Sequence, residues 1–390
     1  MSVPKLRFKE FEGDWIKKCI GDFVISHKGG ASLTPEDFVK SSSCEVIPKK
    51  GIGSGGWLAT DPSDSVYCHE DFFEKNQRSV VDSTYLITTL RDLVPSGPSI
   101  GYIVKYKGEK KYILAQGVYG LKVDYNKIYD DFIINFSNTL KYRRYMQTIM
   151  VGSTQVHVRN DDFFSVEFFV PSLPEQTKIA NFLTTIDDYI NQLTRKHELL
   201  TQYKKAVMQQ IFSQQLRFKD ENGEDFADWE EKEIKEILTI GNGRDYKHLA
   251  SGDVPVFGTG GLMTMVDKFL YEGETVCIGR KGTIDKPMYY KGKLWTVDTL
   301  FFTHSFNNVL PKFVFILFQR INWKEHNEAS GVPSLSKSTI EKINVPLPDV
   351  AEQKKIVGFI DAIDQQLDQL QQQINQIKQY KQGLLQQMFV

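Results

Sequence analysis

The 390-residue chain is 41% hydrophobic and 25% charged, which is enough apolar material for two or three ordinary cores. Its formal net charge of −1 excludes a chain-wide positive field of the kind that drives non-specific DNA affinity, so any basic surface must be local. Residues 239–348 hold 13 Lys+Arg against 10 Asp+Glu, whereas residues 216–238 hold 4 against 9. The opening MSVPKLRFKEFEGDW has no apolar signal core, and the longest strongly apolar run, Phe313 to Phe318, is too short to cross a bilayer. Four scattered cysteines (Cys19, Cys44, Cys68, Cys277) form no CxxC pair. The expectation is a cytoplasmic protein without a membrane partner.

In chain order, Leu6-Arg7-Phe8-Lys9 and Asp14-Trp15 form a lead-in to a mixed stretch, 16–170. There, the apolar run Tyr112 to Ala115 reads as a strand and residues 129–149 as helix-like, with a Gly-rich turn at 51–56. Residues 175–212 then carry apolar side chains at Ile179, Phe182, Ile186, Ile190, Leu193, Leu200, Val207 and Ile211. Alternating steps of three and four, with Pro174 just upstream and no proline inside, predict a long helix with a coiled-coil seam. Thirty-eight residues of helix span about 57 Å.

The order then repeats. Leu216-Arg217-Phe218-Lys219 and Asp228-Trp229 form a second lead-in, with ENGEDF inserted. Residues 230–348 follow, with strand-like runs from Thr275 to Ile278 and Leu300 to Thr303 and a helix-like stretch at 311–326. Residues 352–389 match 175–212 without a gap at 15 of 38 positions, with apolar residues at Ile356, Phe359, Ile363, Leu367, Leu370, Ile374, Ile377, Leu384 and Met388. Duplication is the plain explanation. His197, which stands where the second copy has Ile374, reads as a neutral seam histidine. Each seam needs a partner, and the other copy is the obvious one. A parallel pair would force residues 213–348 to return the full helix length, so the pair is expected to be antiparallel. The fold class is therefore α+β: two globular domains, 1–174 and 215–348, separated by two long antiparallel coiled-coil helices, 175–214 and 349–390, in a pseudo-twofold duplication.

The chain shows no catalytic constellation. Phe257-Gly258-Thr259-Gly260-Gly261 invites comparison with an S-adenosylmethionine loop, but no acidic residue follows at the right distance after a clear strand–helix unit and the chain has no Pro-Pro pair, so it reads as a tight turn. Gly279-Arg280-Lys281-Gly282 lacks phosphate-loop spacing and reads as a basic turn. The seven histidines form no metal cluster. Neither a cofactor nor a metal is expected. Basic and aromatic turn residues are the candidates for DNA contact: Lys49, Lys50, Trp57, Arg143 and Arg144 in the first domain, and Arg244, Lys247, Arg280, Lys281, Trp295 and Lys337 in the second.

The duplicated signature, EQ-x-KI-x-x-F-[LI]-x-x-I-D continuing to YK-x-x-x-x-QQ-x-F, resembles the specificity subunit of type I restriction–modification enzymes. The resemblance implies a non-catalytic subunit whose two domains each read half of a bipartite duplex target, with the helices setting the unread spacer. It implies two methyltransferase (modification) subunits and restriction subunits as partners. By the same resemblance, Glu175, Gln176, Ile179, Phe182, Ile186, Leu193, Glu352, Gln353, Ile356, Phe359, Ile363 and Leu370 serve the coiled coil and subunit contacts. The first domain has Gly152-Ser153-Thr154 where a counterpart of Gly331-Val332-Pro333-Ser334-Leu335 is sought. The competing readings are a stand-alone S-adenosylmethionine-dependent DNA methyltransferase and a coiled-coil scaffold without nucleic acid.

Overall fold

A computed structural model describes residues 3–60, 63 and 65–390. Two helices dominate, Leu173–Phe212 with 40 residues and Val350–Met388 with 39. The chain divides into two compact units, Met1–Lys196 with Leu370–Val390, and His197–Gln369. This boundary runs through both helices. The reason is burial: each half-helix lays its apolar stripe against the globular body beside it.

In the first unit, Ile179, Ala180 and Leu183 from the start of the first helix share a core with Leu384, Leu385 and Met388 from the end of the second. In the second unit, Val207 and Ile211 from the end of the first helix join Ile356, Val357 and Ile360 from the start of the second. Start meets end in both, so the helices run antiparallel. Lys381 Nζ lies 2.6 Å from Asp187 Oδ1 in one unit, and Lys204 Nζ lies 2.5 Å from Asp364 Oδ1 in the other.

The first unit carries a four-stranded sheet, in order Val24–Gly29, Val118–Val123, Leu86–Thr89 and Ile103–Val104, and a five-stranded sheet of short strands that includes Tyr112–Ile113. The helix-like stretch at 129–149 is two helices, Asp130–Ser137 and Leu140–Ile149. Thr139 separates them because its side chain accepts from Tyr142 N–H and caps the second.

The second unit is built on a six-stranded sheet ordered Thr239–Asn242, Leu300–His304, Tyr271–Gly279, Met288–Thr296, Val254–Gly258 and Gly261–Val266. Helix Pro311–Arg320 buries Phe313, Val314, Ile316, Leu317 and Phe318. The expected continuation to residue 326 is a 3-10 turn, Trp323–His326, anchored by the Trp323 indole donating to Phe318 O at 2.8 Å. Thr259-Gly260 is the two-residue turn of a hairpin, with Gly261 at φ +106°.

A shared lock joins each lead-in to its helix. Glu175 accepts from Arg7 (Nε 2.7 Å, Nη2 2.8 Å) and from the Trp15 indole at 3.2 Å. Glu352 accepts from Arg217 (Nε 3.3 Å, Nη2 2.9 Å) and from the Trp229 indole at 2.9 Å. The neighbouring glutamines repeat the pattern. Gln176 accepts from Tyr129 N–H and donates to Lys127 O and Pro171 O. Gln353 accepts from Leu310 N–H and donates to Asn308 O and Pro348 O. The four acidic and amide side chains are no more than 1% exposed.

Candidate nucleic-acid interface

In the second unit the basic turn residues gather where strands end. Arg244 N–H donates to Thr296 O at 2.8 Å, and the buried Trp295 indole donates back to Arg244 O at 2.8 Å. Arg280 and Lys281 N–H groups both donate to Thr299 O, and the Gly282 Cα faces Thr259 of the hairpin turn. Arg244, Arg280 and Lys281 thus flank the same Thr296–Thr299 segment with exposed side chains. Lys247 is exposed on the following turn, whose Asp245 carboxylate accepts the Lys247 N–H. Trp295 holds this turn in place and has little surface left for a base. Lys337 begins a short helix, half-buried and paired with Glu341 at 3.6 Å.

The first unit disperses its candidates. Lys49 and Lys50 sit on the 3-10 turn Lys49–Gly51. Burial, with Arg91 adding repulsion, lowers the Lys49 ammonium below the usual lysine range against the pull of Asp92. Trp57 is half-buried beneath Lys105 and Lys107, whose Nζ atoms lie 5.2 and 4.7 Å from its ring centre, and it lines a groove with Asp187, Ile190 and Lys381. Arg143 is committed within the fold: it donates to Ile100 O at 2.6 Å and stacks 3.7 Å over Tyr102. Burial lowers its guanidinium from the ordinary value. Arg144 is exposed beside an apolar cleft lined by Tyr142, Phe168 and Phe169.

Glu175, Gln176, Glu352 and Gln353 spend their side-chain hydrogen bonds inside the chain, in the two locks. Ile179, Leu193, Ile356, Ile363 and Leu370 are buried; Ile186 is half-buried. Phe182 and Phe359 are half-buried instead of sealed in the seam. Each packs edge-on against a lead-in phenylalanine, Phe8 at 5.8 Å and Phe218 at 5.7 Å. The adjacent Leu183 and Ile360 occupy the core, 0% and 2% exposed.

The counterpart of the Gly331–Leu335 segment exists in the first unit, and sequence comparison misses it. Val151 N–H donates to His157 O as Glu328 N–H donates to Ser334 O. Val158 N–H donates to Leu90 O as Leu335 N–H donates to Arg280 O, both at 2.9 Å. Arg91 bridges His157 as Lys281 bridges Ser334. The offset between equivalent loop residues is 177 (151 to 328, 157 to 334), the same as between the helices (175 to 352), whereas the strand ends they bridge are offset by 190 (91 to 281). Thr154 to Val158 therefore stands where Gly331 to Leu335 stands. Most side chains differ, so residue identities carry little signal; what the sequences keep is the gap-free spacing back from the helix repeat.

Among the described residues, no group of three or more His, Cys, Asp or Glu side chains is placed to hold a metal, and no helix is long and apolar enough to cross a membrane. Burial pushes the Cys277 thiol up to about 12, which keeps it protonated and a poor nucleophile.

The family model for the type I restriction modification DNA specificity domain matches residues 12–201 and 227–379. The chain belongs to this family. The specificity-domain relatives include the type I restriction enzyme MjaVIII specificity subunit of Methanocaldococcus jannaschii, 27% identical over 62% of this chain and 54% of that protein. The putative MjaX specificity subunit of the same organism is 22% identical over 70% of this chain and 71% of its own length. The match thus spans about half the length of the MjaVIII subunit. The specificity-domain fold is shared with the S subunit of a type I restriction-modification system from M. genitalium, with a TM-score of 0.62 and 18% identity over 100% of this chain and 99% of that one. A chain from a type I R-M system studied for complex assembly and conformational transition aligns with a TM-score of 0.58 and 13% identity over 95% and 96%.

Proposed function

We propose that this chain is the non-catalytic DNA-specificity subunit of a type I restriction–modification complex. Each globular unit reads one half of a bipartite duplex target. The helices set the unread spacer and dock two methyltransferase subunits, to which restriction subunits are added. The observation that carries this reading is the doubling itself: two unlike globular units, each keyed by the same Arg–Trp–Glu lock and Gln clamp to the start of a long helix. A bipartite reader needs that arrangement and a single-site enzyme does not. The names of the specificity-subunit relatives support the same reading. A net charge of −1 fits a subunit whose partners supply much of the phosphate neutralisation. The two-residue hairpin turn at Thr259-Gly260 argues against a cofactor loop there, because its backbone is committed to pairing two strands.

The test is methylation of a randomised duplex library by this chain assembled with its modification subunits and S-adenosylmethionine. The expected product is a motif of two short specified blocks separated by a fixed unspecified gap. Methyl transfer by the chain alone, or a single uninterrupted motif, overturns the proposal.

A further inference from the structure

The two units share a backbone frame beside the strand end, and the frame carries unlike side chains. In the first unit the loop after Val151 returns at His157 and lies along Arg91; in the second the loop after Glu328 returns at Ser334 and lies along Lys281. A cation thus stands at the same bridged position in both, suited to a phosphate or a guanine edge. Around it the chemistry diverges. Gln155 in the first unit occupies the position of Val332 in the second, and His157 that of Ser334. Gln155 and Val332 are both exposed, Val332 to 68%.

The first-unit frame is organised in advance. Arg91 Nη2 donates to Gln155 Oε1 at 2.7 Å, which fixes the guanidinium and the amide together. Among the described residues the Gln155 amide nitrogen has no partner within the chain. Gly117 lets the Arg91 backbone come close: a Cβ on it would lie 2.6 Å from Arg91 Cβ, and its φ is +85°. Gly152, at φ +114°, would carry a Cβ 2.1 Å from Gln155 O, so the loop closes tightly only with glycine there. Beneath the strand end, burial raises the Asp92 carboxyl, but the hydrogen bonds it accepts from Ser99 and Val94 outweigh this and hold it below the ordinary range. Arg91, Gln116, Gln155 and His157 line one cleft of about 480 Å³.

We infer that the Gly152–His157 loop with Arg91 is the base-reading edge of the first unit, and that Gln155 and Val332 are equivalent specificity positions reading different bases. An amide matches the acceptor–donor pair on the major-groove edge of adenine, whereas valine offers only apolar contact, suited to the thymine methyl. A shared frame with an exchanged side chain is what two half-sites of different sequence require. The inference rests on the proposed function, and it relocates the first-unit contact away from Trp57 and Arg143.

The test uses the assembled methyltransferase complex on the randomised duplex library, comparing the unmodified chain with Gln155→Ala, Gln155→Val and Lys50→Ala. Gln155 is exposed and its single side-chain bond goes to Arg91, so both replacements are expected to fold. Gln155→Ala is expected to relax discrimination by about ten- to a hundredfold at one position of one half-site, leaving the other half-site intact. Gln155→Val is expected to shift the preference at that position. Unchanged half-site preference in both Gln155 variants, or loss in Lys50→Ala instead, overturns the inference while the bipartite motif of the unmodified complex keeps the proposed function standing. Absence of any motif with the unmodified complex removes both.

Discussion

A buried carboxylate with one guanidinium and one indole donor has no alternative partner, which makes Glu175 and Glu352 sensitive positions. Glu352 is 0% exposed, and alanine there leaves Arg217 and the Trp229 indole without their acceptor. Loss of one side of such a pair costs about 3 kcal/mol, at the low end because Arg217 is 19% exposed. Glu352→Gln keeps an acceptor for the indole and is expected to cost about half as much. Urea unfolding followed by tryptophan fluorescence measures both, and equal stability of the two variants refutes the lock as an ionic device. The sequence displayed the repeated glutamates, arginines and tryptophans but not their meeting, because Arg217 and Glu352 are 135 residues apart. Phe182 was legible as apolar at seam spacing. Its contact with Phe8 was not, since helical periodicity fixes which face a residue lies on and not which neighbour covers it.

The long helices were legible as elements because duplication preserved their periodicity without a gap. Their orientation was also encoded, in charge. Asp187 and Asp364 occupy the same repeat position, as do Lys204 and Lys381. A parallel in-register pair would set aspartate beside aspartate and lysine beside lysine; the antiparallel pair gives Asp187–Lys381 and Lys204–Asp364 instead. Asp187→Lys is expected to destabilise the first unit by about 2 kcal/mol, and adding Lys381→Asp is expected to recover most of it. A double-mutant cycle in urea gives the coupling, and a coupling near zero contradicts the pairing. The globular elements were read less well. Residues 129–149 look continuous by composition, yet Thr139 breaks them, because a side-chain cap competes locally with helix propagation.

For the whole molecule, exchanging residues 16–170 for another such domain is expected to alter one half of the methylated motif and leave the other unchanged. A change in both halves refutes modular reading. Adding one heptad to each helix preserves the seam and lengthens it by about 10.5 Å, so the unread gap is expected to widen by about three base pairs at 3.4 Å each. An unchanged gap in the methylation motif means that the helices do not measure it. The sequence by itself determined the duplication, the two helices and their apolar seams, since these depend on local periodicity that survives in single residues. The tertiary structure alone decided which side chains share a surface: it drew the unit boundary through the helices, committed Arg143 and Trp295 to internal bonds, and aligned Gln155 with Val332. That alignment lives mainly in backbone hydrogen bonds, which most side chains leave intact, so residue identities alone do not expose it.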